Sequence, residues 1–242
     1  MIPKIIHYCW FGGNPMPEEV RKYISTWKKY CPDYEIRQWN ESNFDVTQNA
    51  YCYEAYQAKK WAFVADYARL KVLEQFGGIY LDADVEVCKS LDPFLKYGAF
   101  SGFETENKIS TGTWGASKHN EWIKDLLSYY DTRHFLINGS PDLTTNVEII
   151  SQMTTHKYGI QLNGAYQVFG DNNAIFPFDY FCAKDMMDGK IKRTTNTYTI
   201  HHFAGSWLPW HRRVRHWIKI LLVKIMGVSF VYFIKNFILN KK

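Results

Sequence analysis

"QFGGIYLDADVEV", residues 75–87, decides how the chain is read. Two aspartates, Asp82 and Asp84, stand one residue apart within an apolar run that reads as a buried strand. Unpaired charge in such a place costs several kcal/mol or more. Side chains alternate along a strand, so Tyr80, Asp82, Asp84 and Glu86 are expected on one face and Ile79, Leu81, Ala83, Val85 and Val87 on the other. The two carboxylates would then point the same way, about 7 Å apart. A divalent cation between them resolves the repulsion, and Mg²⁺ and Mn²⁺ prefer carboxylate oxygens. The alternative is an exposed strand end with solvated acids. Context favours the metal. The pair follows a helix and a glycine break, at the carboxyl half of a strand, where open α/β sheets bind ligands.

The preceding segment, "WAFVADYARLKVLEQF" (61–76), reads as a helix stopped by Gly77-Gly78. On it Asp66 and Arg69 lie at i and i+3, within reach of each other. Their face also carries Ala62, Ala65, Leu73 and Phe76. The ion pair is therefore either a structural bridge or part of a polar site. In the second reading Arg69 neutralises a phosphate or orients the carboxylates, and Asp66 accepts a hydroxyl of a ribose or sugar.

Upstream, "IPKIIHYCWF" (2–11) reads as a strand buried on both faces, as in parallel sheets. Gly12-Gly13 ends it, and Pro17-Glu18-Glu19 opens a helix with Val20, Tyr23, Ile24 and Trp27 on one face. "YEIRQW" (34–39) completes a β-α-β unit with parallel strands. No G-x-G-x-x-G follows the first strand, so a bound nucleotide would not be held in the dinucleotide-fold manner. Downstream, strands are expected at 98–104 and 196–203, and helices at 120–130 and 144–156.

The 242 residues fit one large domain or one domain plus an appendage, and 46% hydrophobic content argues for a globular fold rather than disorder. Five widely spaced cysteines without C-x-x-C argue against a disulfide framework or thiolate zinc site, and for a reducing compartment. The amino terminus lacks the pattern of a signal peptide. Net charge is +5, unevenly spread: residues 189–242 hold eleven Lys/Arg and no acid. Such a tail seeks an anionic partner, membrane or nucleic acid. Arg212, Arg215, His216 and Lys219 share a helical face, and residues 220–234 hold only Lys224 as a charge. That run is too short to span a bilayer but suits an interfacial helix. A helix packed on the core is the alternative.

At this point a family resemblance emerges. "AKKWAFVADYARLKVLEQFGGIYLDADVEV" (58–87) resembles the central block of the glycosyltransferase family 32 sugar transferases. "IPKIIHYCWFGG" (2–13) is similar to that family's first strand and "HHFAGSW" (201–207) to its late motif, in the same order. The resemblance implies an α/β fold of the GT-A type over 1–207: a Rossmann-like nucleotide half with a mixed, mostly parallel sheet, fused to an acceptor half. The tail, 208–242, is then an appendage. It also implies a nucleotide-sugar donor, a divalent metal and retention of anomeric configuration. Carried over, Asp82 and Asp84 are the D-x-D, with Asp84 the direct ligand and Asp82 nearer the ribose and a metal water. Asp66 and Arg69 bind the donor, Tyr80 is the tyrosine of G-G-x-Y, Trp10 stacks on the base, and Ser206 and Trp207 close over the pyrophosphate. One departure stands out. Where related toxins supply a late Glu and Ser to the metal, this chain offers His201-His202. "HFAGSWLPW" (202–210) resembles the H-F-x-G…P-W ending of a related retaining family whose histidine ligates manganese, which implies His202 as third ligand. On an alternating strand only one of the two histidines can face the metal, and the alternative is a pair packed or solvated at a strand end.

The function expected is transfer of a hexose from a nucleotide sugar, UDP-linked, to a glycan or lipid-linked oligosaccharide, as in capsule or other surface polysaccharide synthesis. The place expected is cytoplasmic, on the inner face of the cell membrane, with no nucleic-acid partner. Arg69 would share the leaving-group charge. Glu104 and Asp142 are the candidate nucleophiles, with front-face attack without a covalent intermediate preferred over either. Rival readings are a metal-dependent phosphohydrolase or nuclease and a non-catalytic membrane-associated binding protein.

Overall fold

The structure, a computed structural model, describes residues 1–186, 188–205 and 218. Ser206, Trp207 and, apart from residue 218, the 208–242 tail lie outside the described residues, and with them the expected membrane-surface helix.

In chain order the elements are β1 (Ile5–Cys9), α1 (Glu18–Tyr30), β2 (Glu35–Trp39), α2 (Ala50–Gln57), α3 (Trp61–Phe76), β3 (Gly78–Leu81) and β4 (Val85–Val87). Then come β5 (Ala99–Thr105), β6 (Lys108–Ile109), β7 (Thr113–Ala116), α4 (Glu121–Ser128), and a hairpin of β8 (Leu136–Ile137) and β9 (Ser140–Pro141). The described part closes with α5 (Asn146–Tyr158), β10 (Gln167–Phe169), β11 (Asn173–Phe176), α6 (Phe178–Phe181) and β12 (Thr199–His201). The central sheet runs β10-β11-β5-β7-β3-β1-β2. β1 pairs parallel with both β2 and β3, and β5 parallel with β11, whereas β7 and β10 run against their neighbours. The sheet is thus mixed and mostly parallel, as expected.

Alternation along the strands splits the core between the two faces of the sheet. Tyr80, Trp114, Phe103 and Ile175 pack with α2, α3 and α4 on one side. Ile6, Ile79, Leu81 and Phe176 pack with Trp27 of α1 and Phe181 of α6 on the other. Trp27 is fully buried, and its indole donates to the Val85 carbonyl at 2.7 Å, which fastens α1 beneath the aspartate pair. All five cysteines are free.

The Gly77-Gly78 stop is needed for more than ending α3. Gly77 and Gly78 adopt φ of +66° and +103°, and added Cβ atoms would lie 2.7 Å from Lys118 N and Ile5 O. Side chains are excluded on both counts. The chain can therefore pass from the helix into a strand directly beside β1.

The single strand expected over 79–87 is in fact broken. β3 ends at Leu81, where its partner β7 begins at Thr113. Asp82 N–H still reaches Gly112 O at 2.8 Å, and Val85 N–H then closes a turn onto Asp82 O at 2.9 Å. β4 leaves the central sheet and pairs antiparallel with β12. Simple alternation therefore holds from Ile79 to Asp82, and a turn places Asp84.

His7 of β1 is fully buried. Trp39 Nε1–H donates to its Nδ1 at 3.0 Å, so Nε2 carries the proton donated to Gly77 O at 2.8 Å. Burial lowers its pKa from 6.5 to about 4. The unfolded chain therefore binds the extra proton first as pH falls below 6.5. Stability from this group is complete above that value, falls between pH 6.5 and 4, and levels off below, for a total of about 3 kcal/mol. His7→Gln, whose amide can accept and donate in the same places, should flatten this part of the profile. Urea unfolding at pH 7 and pH 4 measures it; an unchanged pH dependence would remove the assignment.

Candidate active site

Three elements deliver the polar cluster at the carboxyl end of β3. α3 lays Arg69 across the sheet; its side chain is only 5% exposed. Its guanidinium lies 3.1 Å from Asp66 and 3.3 Å from Asp82, donates to Thr111 O at 2.7 Å, and sits 4.8 Å over the Tyr80 ring. Tyr80 Oη donates to Asp82 at 3.1 Å. The ion pair on the apolar face of α3 is thus part of the polar site rather than an isolated bridge.

The turn presents Asp84 next to β12. Its Oδ1 lies 3.2 Å from His201 Nε2 and its Oδ2 accepts the Ala204 N–H at 2.7 Å. Asp82 Oδ2 lies 3.7 Å from the same imidazole nitrogen. One ligand atom from each of Asp82, Asp84 and His201 falls within 4.8 Å of the others. Two carboxylates and an imidazole at that spacing are a donor set suited to Mn²⁺ or Mg²⁺.

The expectation for His202 is corrected here. His201, not His202, faces the aspartates. β12 pairs with β4 so that His201 stands opposite Val85, and alternation turns His202 outward. There its Nε2 meets Glu86 at 2.9 Å and its ring stacks on Tyr23. One histidine of the pair faces the aspartates, and which one depends on a register that no local feature encodes.

Electrostatics follow from this crowding. Burial opposes the charge on Arg69, yet Asp82, Tyr80 and Asp66 together hold its pKa above the usual value. Burial pushes Asp66 up to about 6 against the pull of Arg69. Burial also works against protonation of His201, but Asp84 outweighs it and raises that pKa well above 6.5. In return the His201 charge overrides burial and holds the Asp84 carboxyl low.

Other candidates fall as follows. Trp10 lies one residue past β1, half-buried, with its indole donating to Asn14 O at 2.8 Å. Because β1 and β3 are parallel neighbours, Trp10 and Asp82 leave the sheet at the same end. Glu104, near the end of β5, is half-buried, and burial raises its pKa while His201, Lys108 and Arg69 oppose. Asp142 is committed elsewhere: it binds Arg133 and accepts the Thr144 N–H at 3.0 Å.

Three residues escaped the sequence reading. Thr111 and Gly112, in the small-residue run before β7, supply the carbonyls that hold Arg69 and the Asp82 amide. Asn146 opens α5, is 5% exposed, and lies against Asp66, lowering that carboxyl's pKa against burial. A Cβ on Gly112 would stand 2.7 Å from His201 Nδ1. Gly112→Ala should therefore displace the imidazole and weaken Mn²⁺ binding at least tenfold, since overpacking of about 1–3 kcal/mol acts on the ligand itself. Titration of Mn²⁺ followed by its electron paramagnetic resonance reads this, and wild-type affinity would contradict the packing.

Comparison with known proteins agrees with this geometry. Residues 17–101 match the family described as a glycosyltransferase sugar-binding region containing a DXD motif. Inositol phosphoceramide mannosyltransferase 3 of Schizosaccharomyces pombe is 33% identical over 134 residues, 52% of this chain and 36% of that protein. An uncharacterized glycosyltransferase of Acanthamoeba polyphaga mimivirus is 37% identical over 109 residues, 41% of this chain and 42% of that protein. The match therefore spans about two fifths of the length of these relatives. Among solved structures, the PaToxG glycosyltransferase superposes with a TM-score of 0.51 at 20% identity, covering 64% of this chain and 70% of that one. The resemblance to DXD sugar transferases drawn from the sequence is borne out, and the fold is of the GT-A type.

Proposed function

We propose that the chain is a metal-dependent, retaining glycosyltransferase that moves a hexose from a nucleoside-diphosphate sugar to a glycan or lipid-linked acceptor. The observation that carries this reading is the convergence of Asp82, Asp84 and His201 within 4.8 Å at the carboxyl end of β3, with Arg69 bonded alongside. A divalent ion bound there would supply Lewis-acid stabilisation of a diphosphate leaving group. The chain's own residues do the rest. Arg69 fixes the orientation of Asp82 and adds positive charge beside the leaving group. Asp66, next to Asn146, offers an acceptor for a sugar hydroxyl. Trp10 offers an aromatic face for the base at the same sheet end. Among the described residues, Asp142 is held by Arg133, and Glu104, within the field of His201 and Asp82, has its pKa raised by burial; front-face attack without a covalent intermediate is the reading kept.

The DXD match supports a sugar donor, and the mannosyl relatives support a hexose. Their printed acceptor, an inositol phosphoceramide, also favours a lipid-linked acceptor here, in keeping with a basic tail at a membrane surface. A uridine diphosphate carrier and a role in surface polysaccharide synthesis complete the proposal. A two-metal phosphohydrolase would need further clustered acids, and among the described residues one ligand cluster is found.

Purified protein incubated with Mn²⁺ and a panel of uridine- and guanosine-diphosphate hexoses should release nucleotide from one donor well above the others. Release from none, with turnover of plain phosphoesters instead, would overturn the reading.

A further inference from the structure

We propose that Glu86 and Tyr23 are positioning residues that act through His202 to hold His201 over the aspartate turn. This inference rests on the reading of Asp82, Asp84 and His201 as a metal site.

β12 and β4 are three residues each, and a ribbon of that size is marginal in water without further support. Contacts of His202 outside the ribbon supply it. His202 Nε2 lies 2.9 Å from Glu86 Oε2, and its ring lies parallel to Tyr23 with centroids 4.3 Å apart at 16°. The other Glu86 oxygen accepts from Arg193 at 2.7 Å, and Tyr23 donates to Glu19 at 2.9 Å. The outward ring of His202 is thereby fixed on two sides. Since adjacent residues of a strand share a peptide plane, fixing His202 fixes the direction in which His201 points.

The backbone after His201 carries a second, independent sign of constraint. His202 N–H donates to Asp84 O at 3.0 Å, and Lys184 donates to His202 O at 2.7 Å. Phe203 then adopts φ of +52°, unfavourable for a non-glycine residue. That conformation lets Ala204 N–H reach Asp84 Oδ2 while the Phe203 ring covers His201 at 4.1 Å. Strain of this kind persists where the surroundings over-determine it, and it gathers at functional sites. The clamp on His202 is the part of those surroundings that touches neither aspartate.

Partners that orient a metal-binding imidazole are worth about 10–100-fold in metal affinity. Mn²⁺ alone, titrated into the full chain and followed by electron paramagnetic resonance, should bind Glu86→Ala about tenfold more weakly than wild type. Glu86→Gln keeps an acceptor for His202 and should recover most of that loss. Tyr23→Ala should weaken binding in the same direction, and Tyr23→Phe, which keeps the stacking face, should not. These pairs distinguish positioning from general destabilisation, and Tyr23, on a surface helix, covers the case in which Glu86→Ala does not fold. Wild-type affinity in both alanine variants would overturn the inference while leaving the metal site standing. Failure of the wild-type chain to bind Mn²⁺ would instead overturn the metal site itself.

Discussion

Asp84→Asn should lower Mn²⁺-dependent sugar transfer by about 10³-fold while the chain still folds without metal, at a melting temperature lowered by loss of the Asp84–His201 pair. The two halves of this result have separate causes. Asparagine keeps the shape of the side chain and an oxygen for the Ala204 N–H, now accepted at 2.7 Å, so the turn and the strap over it survive. What disappears is a full negative charge 3.2 Å from His201, in a site with little access to water. The Arg69 charge beside Asp82 is permanent, whereas the His201 proton beside Asp84 would be given up if the imidazole bound a cation, so Asp84 is the acid whose charge would then be available. Nucleotide release measured over a range of Mn²⁺ concentrations gives the answer. Turnover equal to wild type at the same Mn²⁺ would rule out a catalytic metal at this turn.

Arg69→Met should cost the fold about 3–5 kcal/mol, because it strands two buried carboxylates that share one counter-ion. Asp66 and Asp82 lie 3.1 and 3.3 Å from the same guanidinium nitrogen, and Thr111 O loses its donor as well. For a chain of this length that loss corresponds to a fall of about 10 °C in melting temperature. Arg69→Lys restores charge but not the planar fork that reaches a carbonyl and two carboxylates at once, so only part of the stability should return. A methionine variant that melts with the wild type would mean the cluster is solvated and carries no such load.

Much of this was legible from local pattern. The limits of α3, the Gly-Gly stop and the two-faced β1 follow from periodicity and from glycine's backbone freedom; α3 and its stop are found where the residues place them, and β1 is the shorter Ile5–Cys9 within the expected 2–11. The pairing of Asp66 with Arg69 follows from helical spacing. The short elements were not legible. β7 (TWGA) and β11 (NAIF), four residues each, mix small and bulky residues with no clear periodicity and take their strand conformation from neighbours in the sheet. The end of β3 was also hidden, because Leu81 and Val85 are equally good strand residues. The ladder stops where β7 stops, and β7 lies more than thirty residues later in the chain.

The sequence by itself placed two acids toward the carboxyl end of an apolar strand, after a helix that pairs Asp66 with Arg69, because spacing and apolar flanks are properties of neighbours in the chain. Only the tertiary structure decided that these acids lie on a turn, that a carbonyl of Thr111 holds the arginine, and that His201 rather than His202 completes the set. Those outcomes depend on the register between β4 and β12 and on the meeting of β3 with β7. Register is settled by the packing of whole elements, a sum of many weak contacts between distant segments, and no single local stretch carries it.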